Sequence, residues 1–162
     1  MNIIAAVDNN WGIGKDGRLL VSIPEDMKLF ISETLNKVVI MGRKTLESFP
    51  GGKPLKNRIN IVLTSDKTLK VSDAIVCNSV EEVLEKISAY NTEDVYVVGG
   101  ESIYRQFMPY CNTALITKID YHYDADKYLK DLDADEAWWM TETSEEQTYY
   151  DIEYYFTKYE KR

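Results

Sequence analysis

Short unbroken apolar runs alternate along this chain with stretches of helical period, and the alternation predicts its elements. Residues 3–7 are continuously apolar, the pattern of a strand buried on both faces. After a Gly-rich stretch, Pro24 stands where a first helical turn tolerates it, and Met27, Phe30, Ile31 and Thr34 follow at helical spacing. Residues 38–41 predict a second buried strand, and residues 42–48 a short helix ended by Pro50-Gly51-Gly52. Residues 60–63 and 74–77 predict two further strands. Ser79 with Glu82 forms a capping box that opens a helix with Val83, Leu84 and Ile87 on its core face. A fifth strand over 95–98 leads through Gly99-Gly100 to a helix over about 102–108, and 114–119 predict a sixth strand.

The last part of the chain changes character. An Asp-rich connection over 120–135 precedes two antiparallel strands, 138–143 and the aromatic 149–159, separated by a turn at Ser144-Glu145-Glu146-Gln147. Strand and helix alternating through the first two-thirds require parallel crossovers. The fold class is therefore α/β, a mostly parallel sheet with helices on both faces and an antiparallel C-terminal edge. In such sheets ligands bind at the carboxyl ends of the strands.

Composition narrows the function. With 162 residues and 44% apolar content, the whole of 1–162 fits one domain. The net charge of −8 argues against a nucleic-acid partner, which needs a phosphate-neutralising surface. The charge is also uneven: residues 1–80 carry 11 Lys/Arg against 8 Asp/Glu, and residues 81–162 carry 8 against 19. No apolar run spans a bilayer and the start has no leader pattern, so no membrane association is expected. Two cysteines, Cys77 and Cys111, and the single His122 give neither a disulfide framework nor metal-type spacing; no metal site is expected, and a reduced cytoplasmic compartment fits.

Gly12-Ile13-Gly14-Lys15-Asp16-Gly17 matches G-x-G-x-x-G, but Gly17 and Pro24 prevent the helix that a dinucleotide fingerprint must open. It reads better as a flexible loop crossing the strand ends, a place suited to a lid. Two other junctions carry more weight. Met41-Gly42-Arg43-Lys44-Thr45 and Val98-Gly99-Gly100-Glu101-Ser102 each run from a strand into a helix whose free N–H groups can hold phosphate oxygens, although glycine there also simply makes a tight turn. The third strand ends in Leu63-Thr64-Ser65, with hydroxyls where a site for a free ribose 2′-hydroxyl usually has a carboxylate. With Arg43 and Lys44 nearby, that favours a 2′-phosphate and hence NADP, the alternative being a merely solvated basic face. Asp26 lies one turn before Phe30, so the period directs it with the apolar face while Glu25 turns away. It serves either as a helix-dipole partner or cap, or, if buried, as a group able to hold or relay a proton.

Together these residues resemble the bacterial dihydrofolate reductases over essentially the full length. The resemblance runs through Ile4-Ala5-Ala6, Gly12-Ile13-Gly14, Pro24-Glu25-Asp26, Val39-Ile40-Met41-Gly42-Arg43-Lys44-Thr45, Asn57-Arg58-Ile59-Asn60, Val98-Gly99-Gly100-Glu101-Ser102-Ile103-Tyr104 and Thr117-Lys118-Ile119-Asp120. It implies an eight-stranded sheet with about four flanking helices, NADPH as cofactor, dihydrofolate as substrate and a monomer. By this likeness Asp26 is the active-site acid that accepts from the pterin N3 and 2-amino groups, supported by the Thr117 hydroxyl. The carbonyls of Ile4 and Val98 line the far side of the pterin, Ala5, Met27 and Phe30 form its wall, and Phe49 and Leu55 pack on the aminobenzoyl ring. Arg58 grips the glutamate α-carboxylate, a bidentate task suited to guanidinium.

For the cofactor the likeness implies that Ala6 and Ile13, with Gly14, hold the nicotinamide carboxamide, that Tyr104 lies beside the ring, and that Leu19 replaces a lid methionine. Gly42, Arg43, Lys44 and Thr45 face Val98, Gly99, Gly100, Glu101, Ser102 and Ile103 across the pyrophosphate. Leu63, Thr64 and Ser65, with Arg43, form the 2′-phosphate site, and Gly99-Gly100 is expected to be cis. Two departures stand out. Leu20-Val21 occupies the place of a Pro-Trp pair whose indole orders a water beside the pterin, and Asn78 falls near a position that can carry a cation. Two rival readings remain: a reductase of another pterin or a pyrimidine on the same fold, which would have no glutamate tail for Arg58 to hold, and a non-catalytic NADPH-binding module with a filled pocket.

Overall fold

The computed structural model describes residues 1–162. In chain order the elements are β1 (Asn2–Val7), β2 (Gly12–Lys15), β3 (Arg18–Leu19), α1 (Pro24–Thr34), β4 (Val38–Gly42), α2 (Arg43–Ser48), β5 (Ile59–Leu63), β6 (Ile75–Cys77), α3 (Val80–Ile87) and β7 (Val95–Gly99). There follow α4 (Glu101–Phe107), β8 (Thr113–Ile119), β9 (Lys127–Tyr128), β10 (Trp138–Thr143), β11 (Gln147–Tyr149) and β12 (Ile152–Lys161). The main sheet has the order β10-β12-β8-β1-β7-β4-β5-β6, with β11 added on β12. From β8 to β6 every pairing is parallel, whereas β12 runs antiparallel to β8, β10 and β11.

Period-two alternation sorts the central strands onto two faces. Ile3, Val7, Val38, Ile40, Ile61, Val95 and Val97 join a core closed by Val83 and Ile87 of α3 and Ile103 and Phe107 of α4. Ile4, Val39, Met41, Val62 and Tyr96 point the other way, to a second core with Leu46 of α2 and Phe30 of α1. The chain leaves β1, forms β4, β5 and β6 outward, then returns to insert β7 between β1 and β4. That reversal opens a crevice at the carboxyl ends of β1, β4 and β7, the switch point of the sheet. No helix is long and apolar enough to cross a membrane.

The capping box is present in modified form. Ser79 Oγ accepts from the Glu82 N–H at 3.1 Å, and the Glu82 carboxylate returns to the Asn78 N–H at 3.3 Å instead of to Ser79.

Four expectations need correction. The Gly-rich stretch expected as a flexible loop is instead a hairpin, β2–β3, paired with β9 in a separate three-stranded sheet. Asp16 and Gly17 both have positive φ, 50° and 76°, which makes the two-residue turn that hairpins prefer. The Asp-rich connection contains β9 and buries Leu129 and Leu132. The final aromatic run breaks at Tyr150, φ 55°, so that β11 and β12 form a hairpin and the sheet gains a ninth strand. Met27 and Ile31, placed with the helix's apolar positions, are 42% and 47% exposed and so do not join the core that Phe30 meets.

Candidate active site

Helix α1 begins at Pro24 with no side-chain cap, so Asp26 is not spent on its own helix. Its Oδ1 accepts the Thr117 hydroxyl at 2.6 Å, across from β8. Asp26 is half-buried and Thr117 is buried. Burial holds the Asp26 carboxyl above the ordinary carboxylate range, and the Thr117 hydrogen bond pulls against that. Oδ2 has no protein hydrogen-bond partner and remains free to accept. Thr117 pairs with Ala6 of β1, which ties this carboxyl to the middle of the sheet.

From β1 the site continues to β7 and α4. The Tyr104 hydroxyl donates to the Ile4 carbonyl at 2.8 Å, leaving that carbonyl one further lone pair. Tyr104 is buried, and desolvation with the nearby Asp26 charge drives its pKa up, so it stays a neutral donor. The Gly99-Gly100 peptide is cis, as the resemblance implies. A Cβ at Gly99 would stand 3.5 Å from both Thr45 Oγ1 and Tyr104 Oη, and one at Gly100 3.7 Å from Thr45 Oγ1. A Cβ at Gly42 would meet Ile103 at 3.1 Å, so the β4–α2 and β7–α4 junctions lie against each other. Neither α2 nor α4 has a side-chain cap on its first-turn N–H groups.

An apolar wall flanks this polar floor. Phe30, Phe49, Leu55 and Val98, each half-buried, all pack against the cluster that contains Ile4, Met41 and Leu46. Arg58 closes the far end: its guanidinium donates to Thr34 Oγ1 at 3.2 Å, the Lys56 carbonyl at 2.6 Å and the Ile31 carbonyl at 3.0 Å. Three of its five N–H groups are thus used in fixing it, and two remain for a carboxylate. Ala5 and Ile13 pack against the larger core, with Gly14 beside Ile13 in β2. Leu63 pairs with Gly42 and leads directly to Thr64 and Ser65.

Some expected residues stand apart. Leu19 is 66% exposed and makes no closure over the crevice. Lys44 and Ser65 are exposed, and Ser102 Oγ accepts from Gln106 at 2.9 Å. Glu101 reaches away from the α2 junction to accept the Tyr128 N–H of β9 at 2.7 Å, linking the small sheet to α4. Val21, in place of an indole, packs with Ile23, Ile119, Tyr154 and Ala6.

Three positioning residues escaped the sequence reading. Asn60, buried at 2%, exchanges hydrogen bonds with the Leu55 backbone at 3.0 and 2.9 Å and also donates to the Arg58 carbonyl. Asp8, also 2% exposed, accepts from the N–H groups of Asn10, Gly12 and Tyr123 at 2.8–2.9 Å. Asp66 pairs with Arg43 at 3.0 Å. A polar residue just after an apolar strand was the available signal for Asp8, and the Asp-x-Thr spacing that often makes a local turn was the signal for Asp66.

The fold and site define a doubly covered α/β protein in which a half-buried carboxyl, an apolar wall and cation-bearing segments lie on elements that meet at the strand ends. The dihydrofolate reductase family model matches residues 1–161. Dihydrofolate reductase of Bacillus subtilis (strain 168) is 35% identical, covering 100% of this chain and 95% of that protein. The Staphylococcus haemolyticus enzyme is 32% identical, covering 99% and 95%. A solved structure of dihydrofolate reductase from Enterococcus faecalis, complexed with NADP(H) and RAB-propyl, superposes with a TM-score of 0.87 at 28% identity, over 99% of this chain and 95% of that one. This chain belongs to the dihydrofolate reductase family, and its activity is the NADPH-dependent reduction of dihydrofolate.

Proposed function

We propose that the strand-end crevice carries out this reduction with Asp26, held by Thr117, as its acid. The observation that carries the assignment is the 2.6 Å Thr117–Asp26 hydrogen bond, which leaves the second oxygen of a half-buried carboxylate without a protein partner. That oxygen accepts from the pterin N3 and 2-amino groups, while the wall of Ile4, Ala5, Met27, Phe30 and Val98 holds the ring. Phe49 and Leu55 flank the aminobenzoyl group, and the two spare N–H groups of Arg58 take the glutamate α-carboxylate.

The residues at the two junctions fit the cofactor. Gly99 and Gly100 leave a cradle that side chains would fill, and the Thr45 hydroxyl and Lys44 supply donors beside it. Ala6, Ile13 and Gly14 hold the carboxamide end with Tyr104 close by, and Thr64, Ser65 and Arg43 take the 2′-phosphate. When bound, NADPH supplies the hydride that goes to pterin C6. The protein's part is to set the rings at reacting distance, to exclude bulk water with the β2–β3 hairpin, and to favour protonation at N5 through the charge on Asp26, with solvent as the immediate proton source.

Asp26→Asn keeps the acceptor for Thr117 and removes the ionisable group. Hydride transfer at neutral pH is expected to fall by about 10²–10⁴ with NADPH affinity nearly intact, measured by single-turnover loss of NADPH absorbance and by fluorescence titration. Unchanged turnover would remove Asp26 from the mechanism. We further infer that 1–162 is one domain acting as a cytoplasmic monomer with no nucleic-acid partner, the acidic surface supporting the last point; light scattering at the mass of a single chain checks the oligomeric state.

A further inference from the structure

Strand β9 is joined to β2 through the residues that flank it. The Asp126 N–H donates to the Gly14 carbonyl and the Leu129 N–H to the Trp11 carbonyl, both at 2.9 Å. Asp126 Oδ2 also accepts the Asp16 N–H at 3.1 Å, and a Cβ at Gly12 would stand 2.6 Å from Ala125 Cβ, so the chain entering β9 lies directly on the hairpin. The Tyr128 N–H belongs to the other edge of β9, where the small sheet has no further strand. There Glu101 Oε2 accepts it at 2.7 Å, a carboxylate standing where the carbonyl of a next strand would. Glu101 directly follows the Gly99-Gly100 peptide and opens α4. An acidic residue in a first helical turn ordinarily answers its own helix dipole; this one is directed to a strand of the other sheet.

We propose that Glu101 is a positioning residue that couples the two ends of the cofactor site: through Tyr128 it holds β2, and with it Ile13 and Gly14, at a fixed place relative to the glycine junction. This role rests on the reading of Gly99-Gly100 as the pyrophosphate cradle and of Ile13 and Gly14 as holders of the carboxamide. A link of this kind spares the carboxamide end a separate ordering cost once the phosphates are seated. With the link cut, the small sheet keeps its tie to the end of β1 through Asp8 but loses the one to α4, so the fold survives and the carboxamide end must be ordered at binding. A carboxylate that served α4 alone would act through its charge on every nucleotide alike. The link acts only on a nucleotide long enough to reach both places.

The test compares NADPH with 2′-phospho-ADP-ribose, which has the same phosphates and adenine end and lacks the nicotinamide. Calorimetric titration gives Kd for each with wild type, Glu101→Ala and Glu101→Gln. The alanine variant is expected to lose about tenfold of the advantage of NADPH over the fragment, the worth of one hydrogen bond to a carboxylate. Glutamine keeps an oxygen acceptor without the charge and should hold the ratio within about threefold of wild type. In the ligand-free protein the Tyr128 N–H, followed by amide hydrogen exchange, should exchange about tenfold faster in Glu101→Ala, and the fragment should slow it in wild type but not in that variant. A ratio unmoved in Glu101→Ala, or lowered as much in Glu101→Gln, overturns the inference while leaving the reductase reading intact; failure of the fragment to bind wild type overturns the cradle and the inference together.

Discussion

Asp26, the acid proposed for the reaction, also bears on stability. Its pKa is higher in the folded protein than in the unfolded chain, with desolvation as the main cause. Between those two values the native state binds more protons than the unfolded state, so its contribution to stability is full below the unfolded value and is lost as pH rises through the folded one. Asp26→Asn removes that loss. The variant should melt above wild type at neutral pH, with the gap closing below about pH 4, as followed by calorimetry across pH. A gap independent of pH would show that the fold does not resist ionisation of this carboxyl. The orientation of Asp26 was legible because one turn separates it from Phe30. The exposure of Met27 and Ile31 was not: helical spacing identifies an apolar stripe, but only the tertiary fold decides whether the stripe meets protein or a crevice. Arg43 shows the same limit, since no local pattern says that Asp66, 23 residues on, will occupy it.

At the scale of elements, the buried strands were the most legible and the small sheet the least. The central strands are apolar on both faces because helices cover both, and that produces runs no other element mimics. The strands β2, β3 and β9 are short, largely exposed and rich in Gly and charge, and β9 joins β2 from more than a hundred residues along the chain. The Asp16-Gly17 turn was the one local hairpin signal among them. Asp8 fixes this sheet to the end of β1, as Glu101 fixes it to α4. It collects three N–H groups at the end of β1, from Asn10 and Gly12 on one side and Tyr123 on the other. Asp8→Ala leaves all three without their acceptor, one of them buried and two partly buried, and should cost about 2–4 kcal/mol by urea denaturation. Because Ile13 and Gly14, proposed to hold the carboxamide end, follow directly on Gly12, KM for the cofactor should rise as well. A loss of stability with unchanged cofactor binding would separate the hairpin from the site.

For the whole molecule, the charge asymmetry has a place on the fold. Arg43, Lys44 and Arg58, the cations proposed to meet the ligands, belong to the net-positive first half, whereas the acidic second half supplies the glycine junction, Thr117 and the antiparallel edge. The halves are nevertheless not separable bodies. Strand β1 lies between β7 and β8, and β12 covers β8. The Met1 carbonyl accepts from the Asn112 N–H at 3.1 Å, and the Asn112 carbonyl accepts from the Lys161 N–H at 2.9 Å, so both chain ends are tied at one corner. Neither half can leave without exposing the middle of the other's sheet. Thermal unfolding should therefore be a single transition with calorimetric and van't Hoff enthalpies in agreement. The crevice draws on β1, β4, β7 and β8 together, so ligand binding is linked to that whole transition. NADPH at a hundred times its dissociation constant should add about 2.7 kcal/mol and move the midpoint by roughly 5–10 °C without splitting it. A transition that splits on adding NADPH, with one part unmoved, would show that residues 1–162 unfold as more than one unit.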